Sequence, residues 1–110
     1  MTKVRDINDW LLPEELALPG TPVLVLFTST EGWRKDATDI AFLAAAAQHG
    51  GPVRFLRLNT DENPSVVKDH KIKILPTLVL YVEGQEAARR SGPIGDRAIG
   101  ELIARKEKSS

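Results

Sequence analysis

The 110-residue chain contains no cysteine. That absence removes disulfide bonds, thiolate nucleophiles and every metal site built on sulfur. It is compatible with any redox compartment. Histidine is nearly as scarce. His49 and His70 are the two present, far apart and without acids at ligand-like spacing, so no metal is expected. Excess charge is absent too: Lys and Arg total 15, as do Asp and Glu, so no net field favours nucleic acid, anionic lipid or acidic substrates. No apolar run approaches the roughly 20 residues that a membrane-spanning helix needs. The start, Met1-Thr2-Lys3-Val4-Arg5-Asp6, carries charge with no apolar stretch behind it, which argues against a secretory signal. A cytoplasmic, soluble protein with no nucleic-acid or membrane partner is the expectation. Glycine-rich phosphate loops and G-x-S-x-G elbows are also missing. The sequence therefore presents no catalytic constellation and calls for no cofactor.

What is present suits one globular domain over residues 1–110, given 42% hydrophobic and 27% charged residues. Pro22 to Phe27 is a continuous apolar run, the pattern of a central strand covered on both faces. Ala37, Ile40, Ala41, Ala44 and Ala47 recur at spacings of three and four. They predict a helix with these residues as its packing face, Asp36 as N-cap and Gly50-Gly51-Pro52 as its stop. Val53 to Leu58 reads as a second strand, and Asn63-Pro64 starts a short helix reaching about His70. Thr77 to Val82 is a third strand, Glu83-Gly84 a tight turn, and Gln85 to Arg90 a more polar partner strand. Gly92-Pro93 breaks the chain before a last helix capped by Asp96, with Ile99, Leu102 and Ile103 as its stripe. At the N-terminus, Lys3 to Ile7 is a candidate edge strand. Trp10, Leu11, Leu12 and Leu16 suggest a short helix in which Trp10 packs against the core or the domain edge. Residues 105–110 read as a frayed tail. The order is βαβ followed by ββα. It predicts an α/β fold with a mixed central sheet, parallel then antiparallel, and helices on both faces.

Three segments carry a family resemblance: Val23-Leu24-Val25-Leu26-Phe27, Leu58-Asn59-Thr60-Asp61-Glu62-Asn63-Pro64 and Ile72-Lys73-Ile74-Leu75-Pro76-Thr77-Leu78. Together with Glu83-Gly84 and Gly92, they resemble the thioredoxin family in the same order, from about Pro22 to Ile103. The resemblance implies a thioredoxin fold with a cis bond before Pro76. It also exposes departures. Aligned without gaps, the family's W-C-G-P-C signature falls on Glu31-Gly32-Trp33-Arg34-Lys35, so Gly32 and Lys35 replace the redox cysteines. A gapped reading places Trp33 on the signature tryptophan, with Arg34 and Ala37 on the thiols. Leu26 replaces the family's buried aspartate, which manages protons for the inner cysteine. Thr28 replaces the bulky aromatic after Phe27. Arg57 aligns with the family's lysine near the lost aspartate. It then needs a new acidic partner or a route to solvent, and snorkelling toward the former active-site face is the expected answer.

Each candidate residue carries two readings. Pro76 either only shapes the turn into its strand, or leaves Leu75 and its backbone as a docking edge for an extended segment. Trp33 is either an interface hot spot or a plug for space left by the lost aromatic. Arg34 and Lys35, with Arg57, could form an anion site at a helix start, against the simpler reading of solvated cations. Lys68 to Lys73 reads as a solvated basic patch. Glu14-Glu15 and Asp61-Glu62 read as helix-start and loop charges.

The expectation is a redox-inactive, protein-interaction or chaperone-like module that binds a protein or extended peptide through Trp33, Arg34, Leu75, Pro76, Ser91 and Gly92. One alternative is a structural subunit that forms a homodimer. Another is a glutathione- or peroxide-handling enzyme component acting without cysteine, for which Thr28, Ser29 and Thr30 are the available hydroxyls. Because thiol–disulfide exchange requires a thiolate, the purified protein should show no turnover above buffer in an insulin-reduction assay. Measurable reduction would overturn the redox-inactive reading.

Overall fold

The computed structural model describes residues 3–29, 37–49 and 52–105. Among these described residues, the elements in chain order are β1 (Val4–Ile7), α1 (Leu11–Ala17), β2 (Val23–Thr28), α2 (Ala37–Gln48), β3 (Arg54–Asn59), α3 (Pro64–Asp69), β4 (Thr77–Val82), β5 (Gln85–Ser91) and α4 (Asp96–Ala104). The strands form one sheet in the order β1-β3-β2-β4-β5. β3 runs parallel to both β1 and β2, while β4 is antiparallel to β2 and β5 antiparallel to β4. The mixed thioredoxin-type sheet is therefore present as expected.

β2 is buried along its whole length. Its alternate side chains feed two cores, as the period of two in a strand requires. Leu24 and Leu26 join Phe42, Phe55, Leu78, Leu80, Ile99 and Leu102 on the face covered by α2 and α4. Val23, Val25 and Phe27 join Leu12, Leu56, Leu58, Val66 and Tyr81 on the face covered by α1 and α3. The Glu83-Gly84 turn has φ of 54° and 78° at its two residues. Both lie in the left-handed region, which matches the twist of a two-residue hairpin and favours Gly at the second position.

Several expectations need correction. The buried face of α2 is Thr38, Ala41, Phe42 and Ala46, while Ile40 is exposed and Ala47 is exposed as well. The helix is apolar nearly all round, so spacing alone selects no face. The large Phe42 ring, tilted on Phe55 at 5.3 Å between centroids, decides the orientation. Gly95 rather than Asp96 is the N-cap of α4, and Asp96 lies inside the first turn, where a negative charge still favours the helix dipole. The expected cap at Asp36 and the Gly50-Gly51 stop lie outside the described residues.

Glu15 is the residue that sequence reasoning misjudged. It is buried on α1. Arg5 on β1 donates to its carboxylate at 3.0 Å, and Arg54 on β3 contacts the other oxygen. Arg54 also donates to the Glu15 carbonyl at 3.0 Å. A buried carboxylate held by two guanidinium groups ties α1 to the β1–β3 edge. Removing it leaves a half-buried arginine without its acid, the costly way to break such a pair. Glu15→Ala should therefore destabilise the protein by about 2 kcal/mol. Urea denaturation with an unchanged m-value checks this; a loss within error of zero would show that solvent already compensates both arginines.

Candidate functional site

Because β1, β2 and β3 are parallel, their C-terminal residues Ile7, Thr28 and Asn59 share one end of the sheet. β4 begins at that end with Thr77, and β5 finishes there at Ser91. The segments at Asn8–Trp10, Ser29, Thr60–Asn63, Ile74–Pro76 and Gly92 therefore line one edge of the molecule. In open α/β sheets this is the edge at which ligands bind.

The Leu75–Pro76 bond is cis, as the resemblance implied. Its neighbours are tied by a short network around Thr77, which is fully buried. Thr77 Oγ1 donates to the Ile74 carbonyl at 2.5 Å and lies 2.9 Å from Ser91 Oγ. A hydroxyl has one proton, so with Thr77 committed to Ile74 the proton in the second bond comes from Ser91. Gly92 N–H donates to the Pro76 carbonyl at 2.8 Å, and Gly92 has φ of 89°, a conformation suited to glycine. The Ile94 N–H then donates to the buried Thr38 hydroxyl at 2.8 Å, linking this loop to α2. Leu75, Pro76, Ser91 and Gly92 thus lie together at this end of the sheet. Ile74 and Leu75 are left 56% and 41% exposed. Ile74, the second apolar residue beside the cis proline, belongs to this exposed segment as well. Trp33, Arg34, Gly32 and Lys35 lie outside the described residues.

Leu26 is fully buried, and it stands opposite Arg57 across the β2–β3 pair. Arg57 takes the first of its two expected answers, a new acidic partner, rather than snorkelling alone. Its Nε and Nη2 donate to the Asp6 carboxylate at 2.7 and 3.2 Å. Asp6 is the in-register neighbour of Arg57 on β1. A cross-strand partner of opposite charge is the better solution, because it compensates the guanidinium without bending a long side chain along the sheet. Arg34 and Lys35, the other two cations of the expected anion site, lie outside the described residues.

Of the hydroxyls weighed as nucleophiles, that of Ser29 is hydrogen-bonded. Ser29 Oγ donates to the Asp61 carboxylate, 2.8 and 2.7 Å from its two oxygens. Thr28 is buried, and its carbonyl accepts from both the backbone N–H and the hydroxyl of Thr60 at 2.8 and 3.1 Å. Thr30 lies outside the described residues. The histidines pack elsewhere, His49 on Phe55 and His70 on Phe27. Among the described residues, no group of three metal-ligating side chains occurs, and no helix is long and apolar enough to cross a membrane.

His70 ends α3 and braces the segment that leads to the cis proline. Its Nδ1 lies 2.8 Å from the Tyr81 hydroxyl, and its ring meets Tyr81 edge-on at 5.9 Å. Lys71 follows with φ of 56°. Arg89 donates to the carbonyls of both His70 and Lys71 at 2.9 Å, while Glu86 holds its guanidinium at 2.9 and 2.8 Å. Burial lowers the His70 pKa; Asp69 and Glu86 oppose that shift and Arg89 adds to it. Burial likewise raises that of Tyr81. The Arg89 hydrogen bond lowers that of Glu86.

Trp10 departs furthest from expectation. It is 81% exposed at the head of α1, where Asn8 Oδ1 accepts from the N–H groups of Trp10 and Leu11. Asn8, not a buried indole, sets the start of the helix. Trp10 therefore packs neither into the core nor against the domain edge, while Leu12, two residues further into α1, lies in the core.

The family profile described as Thioredoxin matches residues 13–105. Thioredoxin 1 of Synechococcus elongatus is 31% identical over 105 residues, covering 94% of this chain and 96% of that protein. Thioredoxin of Synechocystis is 30% identical over the same shares of the two chains. Among solved structures, chloroplastic thioredoxin z superposes with a TM-score of 0.82 at 26% identity, covering 99% of this chain and 98% of that one. A mutant thioredoxin of Entamoeba histolytica shares the fold, with a TM-score of 0.79 at 22% identity over 92% of this chain and 97% of that one. The chain belongs to the thioredoxin family. It is a member without cysteine, so thiol–disulfide exchange by its own residues is excluded.

The lowered pKa of His70 has a pH consequence. Below the ordinary value of 6.5, the unfolded chain binds this proton before the folded one does. Stability is therefore fully present above that pH and falls as the pH drops through the folded-state pKa. Urea midpoints for wild type should decline from pH 7 toward pH 5 more steeply than those of His70→Asn. Parallel curves would remove His70 from the pH dependence.

Proposed function

We propose that this chain is a redox-inactive thioredoxin-like module that binds a partner protein in extended form at the cis-proline end of its sheet, in a chaperone-like manner. The observation that carries this reading is the exposure of Ile74 and Leu75 on a segment whose backbone is held by Thr77, Ser91 and Gly92. Two apolar side chains on a braced backbone offer contact area at little ordering cost. The backbone before Pro76 offers strand-type hydrogen bonds. Without thiols, the mechanism is binding alone. Apolar burial contributes affinity, alternate side chains of the partner give selectivity, and release needs no chemical step. The crystal structure of chloroplastic thioredoxin z defines a type-specific target recognition for that protein. Trp33, in the loop that replaces the redox signature, is assigned to the same surface on sequence grounds.

The test is capture of a partner from native lysate, followed by affinity measurement with the purified pair. Leu75→Glu and Trp33→Glu, each confirmed folded by circular dichroism, should weaken binding about tenfold or more. Wild-type affinity in both variants would move the function to another surface. A stable dimer lost in Leu75→Glu would replace partner capture with self-association.

A further inference from the structure

The segment between α3 and β4 is anchored at both ends. Beside β4, Thr77, Ser91 and Gly92 hold Ile74 and Pro76 through hydroxyl and backbone groups, none of which titrates in the ordinary pH range. At the other end α3 closes in a Schellman turn. Ile72 N–H donates to the Val67 carbonyl at 2.8 Å, and Lys71 N–H to the Lys68 carbonyl at 3.2 Å. Lys71 occupies the left-handed position of that turn with φ of 56°, a place usually filled by glycine. A lysine there is strained, and side chains from the sheet keep it in place. Arg89 donates to the carbonyls of His70 and Lys71, and Tyr81 meets the His70 ring. Within this second anchor, His70 is the group whose charge changes between about pH 5 and 8.

Among the described residues, the titratable and charged groups facing the ring are Asp69 on α3, Tyr81 on β4, and Glu86 and Arg89 on β5. Phe27 of β2 packs on the ring at 5.8 Å. Asp69 and Glu86 favour the imidazolium, whereas burial, the largest effect, and Arg89 disfavour it. Glu86 is drawn to Arg89 by two hydrogen bonds. The Tyr81 hydroxyl keeps its proton, because burial raises its pKa. A neutral ring can accept that proton at Nδ1. An imidazolium cannot, since both of its nitrogens carry hydrogen. The closed segment therefore favours neutral His70, while a ring released to solvent titrates near the ordinary 6.5. Closure is complete above that pH and weakens as the pH falls through the lower value of the closed state.

We propose that His70 and Tyr81 form a proton-operated latch on this segment. Tyr81 donates to Nδ1 of the neutral ring, and protonation of His70 breaks that bond and releases the strained turn at Lys71. The stretch that carries Ile74 and Leu75 loosens while the sheet stays folded. Control of partner binding by the latch rests on the docking role proposed for that stretch; the latch itself does not.

Nuclear magnetic resonance on the full chain tests it, with the His70 ring titration and amide exchange corrected for its intrinsic pH dependence. The amides of Lys71 and Ile72 should open more often than those of Val25 and Leu26 in β2 at both pH values. Their protection should fall about fivefold from pH 7 to pH 5 in wild type and stay level in His70→Asn. In Tyr81→Phe, which removes only the hydroxyl, the His70 midpoint should rise toward the ordinary value. Equal protection of Lys71 and Ile72 at the two pH values overturns the latch. So does their exchange at one common rate with β2, or an unchanged His70 midpoint in Tyr81→Phe. No partner enters these measurements, so their failure leaves the docking edge standing.

Discussion

Everything in this fold is positioned from β2. Its six residues are buried without interruption, and it hydrogen-bonds to a parallel neighbour on one side and an antiparallel neighbour on the other. A strand so placed must be apolar on both faces, and each large side chain buried there contributes roughly 1.5–3 kcal/mol toward holding the helical layers. The change of direction across β2 also decides what meets at the end of the sheet. Parallel pairing brings the ends of β1 and β3 level with it. Antiparallel pairing brings the start of β4, and with it the cis proline, to the same edge. The surface proposed for docking is thus a consequence of strand direction before it is a property of any one side chain.

Much of this was legible in one sequence because the signals were local. A continuous apolar run, Pro64 opening α3 and two turn-forming residues at Glu83-Gly84 act within a few positions of themselves. The readings that needed correction depend on partners remote along the chain. Glu15 looks like an ordinary helix-start charge until Arg54, 39 residues later, closes on it. Arg57 finds Asp6 across a separation of 51 residues. The face of α2 could not be chosen from spacing when alanine, isoleucine and leucine surround the helix, and Trp10, expected against the core or the domain edge, stands exposed. Of the candidate site, the cis-proline segment was legible from its motif. The support from Thr77 and the exposure of Ile74 were not, because both depend on how β4 and β5 close against each other.

Part of the bracing of the site comes from side chains that satisfy backbone carbonyls at the turns, beside the Gly92 N–H that serves Pro76. Thr77 serves Ile74 in this way, and Arg89 serves His70 and Lys71. Irregular segments held like this present a fixed outline without belonging to a ladder. A surface meant for recognition can therefore be stiff although it lies between regular elements, which reduces the ordering cost of binding.

Leu26 is fully buried opposite Arg57, and the Arg57 guanidinium is held by Asp6 on β1. Where the family resemblance places an acid in the interior, this chain keeps carbon. A dithiol engineered into it would lack the carboxylate that the resemblance assigns to proton transfer, so such a design would have to change the core as well as the loop.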